Sequence, residues 1–137
     1  MKLAAFVKKA NILLQEAIKD SSMGCHNKAV STFWFSIEQL LRAITYFYKR
    51  VTYEKPGKLI SMFSTLPCGK NKKIVTALNT LYNLRRLVDH TTGIIDYERF
   101  LRARQLARTI FEYLLPILEK IGTDTKDLKE TLNKLPY

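Results

Sequence analysis

Apolar residues recur at spacings of three and four along almost the whole chain. No segment alternates with the period of two that a half-buried strand requires. Leu3, Phe6, Val7, Ala10, Leu13, Leu14, Ala17 and Ile18 form a first amphipathic stripe, which stops around Asp20-Ser21-Ser22 with Gly24 as a breaker. Val30, Phe33, Trp34, Ile37, Leu41, Ile44 and Tyr48 form a second, and Phe35, Leu40, Ala43 and Phe47 widen it. A helix apolar around so much of its circumference needs cover on more than one side. It is therefore expected at the centre of the fold, or partly buried against another subunit. Lys55-Pro56-Gly57 interrupts the pattern, and Leu59, Ile60, Met62, Phe63 and Leu66 mark a short helix ended by Pro67. After a basic loop, Asn71 is placed to cap a helix with the stripe Ile74, Ala77, Leu78, Leu81, Leu84 and Val88, which Thr91-Thr92-Gly93 ends. Asp96 is placed to cap the next, whose stripe runs from Tyr97 through Phe100, Leu101, Ala107, Phe111, Leu114 and Leu118 to Ile121. Pro116 is expected to kink that helix and Gly122 to close it. Leu128, Leu132 and Leu135 follow a possible Asp124 cap. The pattern predicts an all-α, up-and-down helical bundle of four main helices plus short additional helices. Residues 1–122 form the bundle, and 123–137 are a short C-terminal helical extension of the same domain.

A chain of 137 residues with 47% hydrophobic and 26% charged content suits one folded domain. Its charge is lopsided: 23 Lys and Arg against 12 Asp and Glu, a formal net charge of +11. Such a surplus favours a polyanionic partner, with nucleic acid first. A solubility surface, or docking of an acidic protein, are the plainer alternatives. No stretch approaches the roughly 20 apolar residues that span a bilayer, so no membrane association is expected. Lys8 and Lys9 interrupt the apolar start too early for a signal peptide. A cytoplasmic setting with Cys25 and Cys68 as free thiols follows as the expectation. His26, His90 and two separated cysteines offer no metal-ligand spacing, and no cofactor is expected.

The segment Arg85-Arg86-Leu87-Val88-Asp89-His90 breaks three local preferences. Arg85 follows Leu81 by four positions and so lies near the apolar stripe. Asp89 places an acid in a last helical turn, where the dipole disfavours it, and His90 sits at the helix exit, where the dipole favours its charged form. Arg offers a planar fork of donors for a phosphate, and His moves a proton near neutral pH. The pair is able to cleave RNA without a metal, the base taking the proton of a 2′-hydroxyl that attacks the adjacent phosphorus. Five residues turn about 140° on an ideal helix, so Arg85 and His90 share one pocket only if the helix opens or a second subunit completes the site. The plainer reading is local: Arg85 or Arg86 pairs with Asp89, and His90 caps the helix.

Other charged groups carry two readings each. Arg104 and Arg108, one turn apart, are candidates for a phosphate-binding wall, with Arg99 and Arg102 on another side; the alternative is a solvated face paired with Glu98 and Glu112. Glu38 is most simply an i,i+4 partner of Arg42, and otherwise a support for Arg85. Lys49, Arg50, Lys55, Lys58, Lys70, Lys72 and Lys73 are either a backbone-tracking surface or solvated loops. Trp34, Tyr46, Phe47 and Tyr48 are read as core or dimer interface before base-stacking rings.

Three stretches together resemble HEPN domains (higher eukaryotes and prokaryotes nucleotide-binding) of the single-domain prokaryotic and archaeal type. Asn27 to Ala43 looks like the family's second helix, Leu81 to His90 like its R-x4-6-H segment, and Asp96 to Ile121 like its last long helix. The resemblance covers most of residues 1–122. It implies a bundle of four to five helices, a homodimer and, in members with the Arg and His, metal-independent endoribonuclease activity. Arg85 and His90 would then be the catalytic pair, with Asp89, Arg86 and Glu38 in support. Many such members are toxins of toxin–antitoxin pairs, held by a small nucleotidyltransferase antitoxin. Two positions depart from the pattern: Arg86 replaces a small polar residue, and Thr92 stands where a Tyr can be nucleotidylated. Asp89-His90 stands where many non-nuclease members have Asp-Tyr. The rival expectation is a non-catalytic accessory module that binds a nucleotide or docks a nucleotidyltransferase. A sequence-specific DNA binder ranks last, for want of a recognition-helix pair.

Overall fold

A computed structural model describes residues 2–90 and 93–137. Among them every regular element is helical: α1 (Lys2–Ser22), α2 (His26–Lys49), α3 (Pro56–Thr65), α4 (Lys72–His90), α5 (Tyr97–Lys120) and α6 (Lys126–Leu132), with a single 3₁₀ turn at Pro67–Gly69. Four are long and two short, as the apolar spacing predicts.

The wide apolar surface of α2 is covered from within the chain. This helix packs against α1, α3, α4 and α5, and Phe33, Trp34, Ile37, Leu40, Leu41 and Ile44 have no exposed surface. Truncating one such aromatic to Ala typically costs about 3–5 kcal/mol, so α2 is the spine on which the other helices are assembled. Trp34 is thereby a core residue and not a base-stacking ring. Glu38 is also buried on α2, where the Trp34 indole N–H donates to its Oε2 at 3.1 Å and Arg42 pairs with its Oε1 at 3.0 Å.

Helix ends follow from local chemistry. The Asn71 side chain accepts from the backbone N–H of Lys73 and Ile74, and that of Asp96 from Arg99, so both expected caps form. Asp124 accepts from Lys126 N–H at the start of α6. Gly122, at φ +93°, closes α5: its N–H reaches the Glu119 carbonyl and that of Thr123 the Leu118 carbonyl. Pro116 lies inside α5 without ending it. Gly69 has no room for a side chain, since a Cβ there would lie 1.8 Å from the Phe63 carbonyl oxygen.

Helix α2 ends on a strained residue. Arg50 has φ 59°, the one non-glycine at positive φ among the described residues, and its N–H reaches the Tyr46 carbonyl at 2.8 Å. Glycine adopts this conformation without a Cβ clash. Arg50→Gly is therefore expected to raise unfolding stability by about 0.5–1 kcal/mol, measured by urea denaturation.

Helix α6 lies against α1 and α5. Glu119 on α5 takes Lys129 and the Thr125 hydroxyl as partners, and these hydrogen bonds hold its carboxyl below the usual value. The chain beyond α6 then returns to α5, where two arginines receive it.

Candidate functional site

Helix α4 carries the Arg85–His90 segment on its last turns, and the N-terminal half of α2 holds it. Asn27, Ser31 and Phe35 are spaced by four and lie on one face of α2. Each meets a different part of the segment. The Asn27 amide donates to the Gly93 carbonyl at 3.0 Å and accepts from Ile95 N–H at 2.8 Å, pinning the chain that leaves the motif. The Ser31 hydroxyl donates to Oδ1 of Asp89 at 2.6 Å. The Phe35 ring lies under the Arg85 guanidinium, 5.0 Å from centroid to Cζ.

Arg85 therefore points toward the interior face, as its spacing from Leu81 predicts, and its side chain is 22% exposed. Its Nε is buried and lies 2.8 Å from Oδ2 of Asp89, out of line for a directed hydrogen bond. None of the Arg85 guanidinium nitrogens makes a directed hydrogen bond among the described residues. Asp89 thus holds the arginine by a single point, and Ser31 and Arg85 offset the unfavourable placement of an acid in the last turn.

His90 is the last residue of α4 and is exposed. Among the described residues no contact joins it to Arg85, in keeping with the angular separation expected on one helix. Large apolar side chains are exposed on the same stretch of chain: Leu87 is 38% exposed, Ile94 87% and Tyr97 59%. Leu87, Val88, Gly93, Ile94, Ile95 and Arg99 line a shallow hollow of about 250 Å³ where α4 gives way to the following loop. The helix end expected at Thr91-Thr92, and with it the Thr92 position, lies outside the described residues.

The remaining candidates fall elsewhere. Arg86 is exposed, with its guanidinium 5.9 Å from the Tyr82 ring centroid, and pairs with no acid among the described residues. Glu38 has both oxygens engaged by Trp34 and Arg42, so the carboxylate that supports Arg85 is Asp89 and not Glu38. Arg104 and Arg108, the candidates for a phosphate wall, face the chain's own C-terminal segment. Arg104 donates to the Tyr137 carbonyl at 2.9 Å. Arg108, only 9% exposed, donates to the carbonyls of Leu135 at 2.6 Å and Leu132 at 3.3 Å. The Arg108 guanidinium also lies 3.8 Å from the Tyr137 ring centroid and its Nε 3.0 Å from Glu112. One donor of Arg104 and the Nη1 of Arg108 are thus engaged by the chain's own C-terminal segment. Arg99 pairs with Asp96 and Arg102 is exposed.

No protein-family model matches this chain, and no curated protein does. Among the described residues no group of three His, Cys, Asp or Glu is placed to hold a metal ion. No helix is long and apolar enough to cross a membrane. Both cysteines are free, and burial pushes the Cys68 thiol above its ordinary value, away from nucleophilic reactivity.

Sequence reasoning singled out Arg85, Asp89 and His90 but passed over Asn27, Ser31 and Phe35. Their shared spacing of four on α2 was available. Their partners lie 58 and more residues away for Ser31 and Asn27, which no local pattern reveals.

Proposed function

We propose that this protein is a HEPN-like, metal-independent endoribonuclease, working in the cytoplasm as a homodimer. The observation that carries the reading is the state of Arg85. Its guanidinium rests on Phe35 and is ion-paired to Asp89 on its Nε side, while none of its nitrogens makes a directed hydrogen bond among the described residues. Two parallel N–H groups on a fixed plane suit a phosphodiester. The +11 charge concentrates RNA at the surface. Leu87, Ile94 and Tyr97, exposed on the chain either side of His90, offer an apolar contact for a second copy, which would bring His90 of each chain toward the other's Arg85.

In that arrangement a His90 imidazole takes the proton of a ribose 2′-hydroxyl. The 2′-oxygen bonds to phosphorus, the bond from phosphorus to the 5′-oxygen breaks, and an imidazolium protonates the departing oxygen. The products are a 2′,3′-cyclic phosphate and a 5′-hydroxyl. Arg85 balances the charge gathering on the phosphoryl oxygens.

The Arg85–Asp89 ion pair favours a second reading. A non-catalytic accessory module, binding a nucleotide or docking a nucleotidyltransferase antitoxin, needs this contact for folding alone. The deciding experiment is incubation of purified protein with mixed single-stranded RNA in EDTA, beside the same sequence carrying 2′-deoxyribose. Cleavage of the RNA only, leaving cyclic phosphate ends, supports the nuclease. An intact RNA at high concentration of folded dimer supports the accessory module.

A further inference from the structure

The contact between Ser31 and Asp89 has a chemical consequence for the arginine beside it. A carboxylate next to a guanidinium ordinarily takes it by two parallel hydrogen bonds, one from Nε and one from Nη, because the two planar groups match. Here the match is incomplete. Oδ1 of Asp89 accepts from the Ser31 hydroxyl at 2.6 Å, and only Oδ2 faces Arg85, at Nε. Ser31 is itself buried, so its hydroxyl has little access to water as an alternative partner. Asn27, one turn earlier on α2, fixes the chain beyond the motif, and Phe35, one turn later, fixes the plane of the guanidinium. Both ends of the segment are therefore set, and the rotation of the Asp89 carboxylate is the remaining freedom.

We propose that Ser31 is a positioning residue for Arg85: by holding one oxygen of Asp89 it prevents the two-point carboxylate–guanidinium pair and keeps both Nη groups directed at a phosphodiester. Without the hydroxyl, the carboxylate turns to accept from Nε and an Nη together. One of the two donors meant for the phosphate is then lost to the protein. The kinetic side of this proposal rests on the ribonuclease reading above; the geometric side does not.

The experiment pairs a spectroscopic readout with a kinetic one, on Ser31→Ala and Ser31→Thr. In ¹⁵N-resolved NMR of the intact protein, the Arg85 side-chain N–H resonances, assigned by their loss in Arg85→Lys, are expected to shift in Ser31→Ala. They are expected to return close to wild-type positions in Ser31→Thr, which restores a hydroxyl. In RNA cleavage, kcat/KM of Ser31→Ala is expected to fall about tenfold, the worth of one charge-assisted hydrogen bond, with Ser31→Thr recovering most of it. An unchanged thermal midpoint in Ser31→Ala would separate this effect from unfolding. Arg85 resonances identical in Ser31→Ala and wild type would overturn the proposal. So would an Ala variant with wild-type kcat/KM, or a Thr variant as impaired as Ala. If wild type proves to have no nuclease activity, the resonances still decide whether Ser31 sets the arginine, so the two ideas fail separately.

Discussion

Arg85→Ala and His90→Ala proteins are each expected to lose RNA cleavage in EDTA by at least a hundredfold, since charge stabilisation and proton transfer each contribute about that much. Mixed and allowed to exchange subunits, they are expected to regain about a quarter of wild-type activity. The reasoning is geometric. Five residues turn about 140° on an ideal helix, and on α4 Arg85 pairs with Asp89 and not with His90. A site that uses both must then draw Arg85 from one copy and His90 from the other. In a mixed dimer one of the two sites receives both intact groups and the other receives neither. Half of the dimers are mixed at equilibrium, which gives the quarter. Restoration measured in the mixture would establish the shared site. Loss in both variants with no restoration would place Arg85 and His90 of one chain in the same site, and would require α4 to open at its end.

Arg108→Met is expected to lower unfolding stability by about 2–4 kcal/mol, the range for removing the charged donor to two buried carbonyls. Its guanidinium holds Leu132 and Leu135 by hydrogen bonds and carries the Tyr137 ring. Met keeps most of the apolar stem and removes every donor. The loss should therefore appear as release of the segment after α6, read by urea denaturation and by protease cleavage near Asn133–Lys134. RNA affinity and its dependence on salt should stay at wild-type values. A salt slope reduced by about one unit would instead return Arg108 to the phosphate-binding role that its spacing from Arg104 suggested.

These two outcomes bear on how much the residues alone disclose. A helix face is written in local spacing. The stripes of α1, α2, α4 and α5, the Asn71 and Asp96 caps and the glycine end at Gly122 were all legible, because each depends on residues within one or two turns. The Arg85–Asp89 pair was legible for the same reason, both lying on one face of one helix. Arg104 and Arg108 were not. An i,i+4 pair of arginines has the same spacing whether it faces a phosphate or the chain's own carbonyls, and those carbonyls lie 24 to 33 residues further on. Glu38 showed its partner Arg42 in the sequence, but not that the pair is covered by the core and bonded to Trp34.

The sequence by itself determined an all-helical chain with one central, widely apolar helix, a basic surface, and an arginine, an acid and a histidine gathered at one helix end. It did so because burial periodicity and capping are short-range. Only the tertiary structure decided which of the arginines is held with open donors. It set Asn27, Ser31 and Phe35 of α2 against the motif and folded the C-terminal segment over Arg104 and Arg108. Those pairings join residues far apart in the chain, and their geometry exists only once the helices have packed.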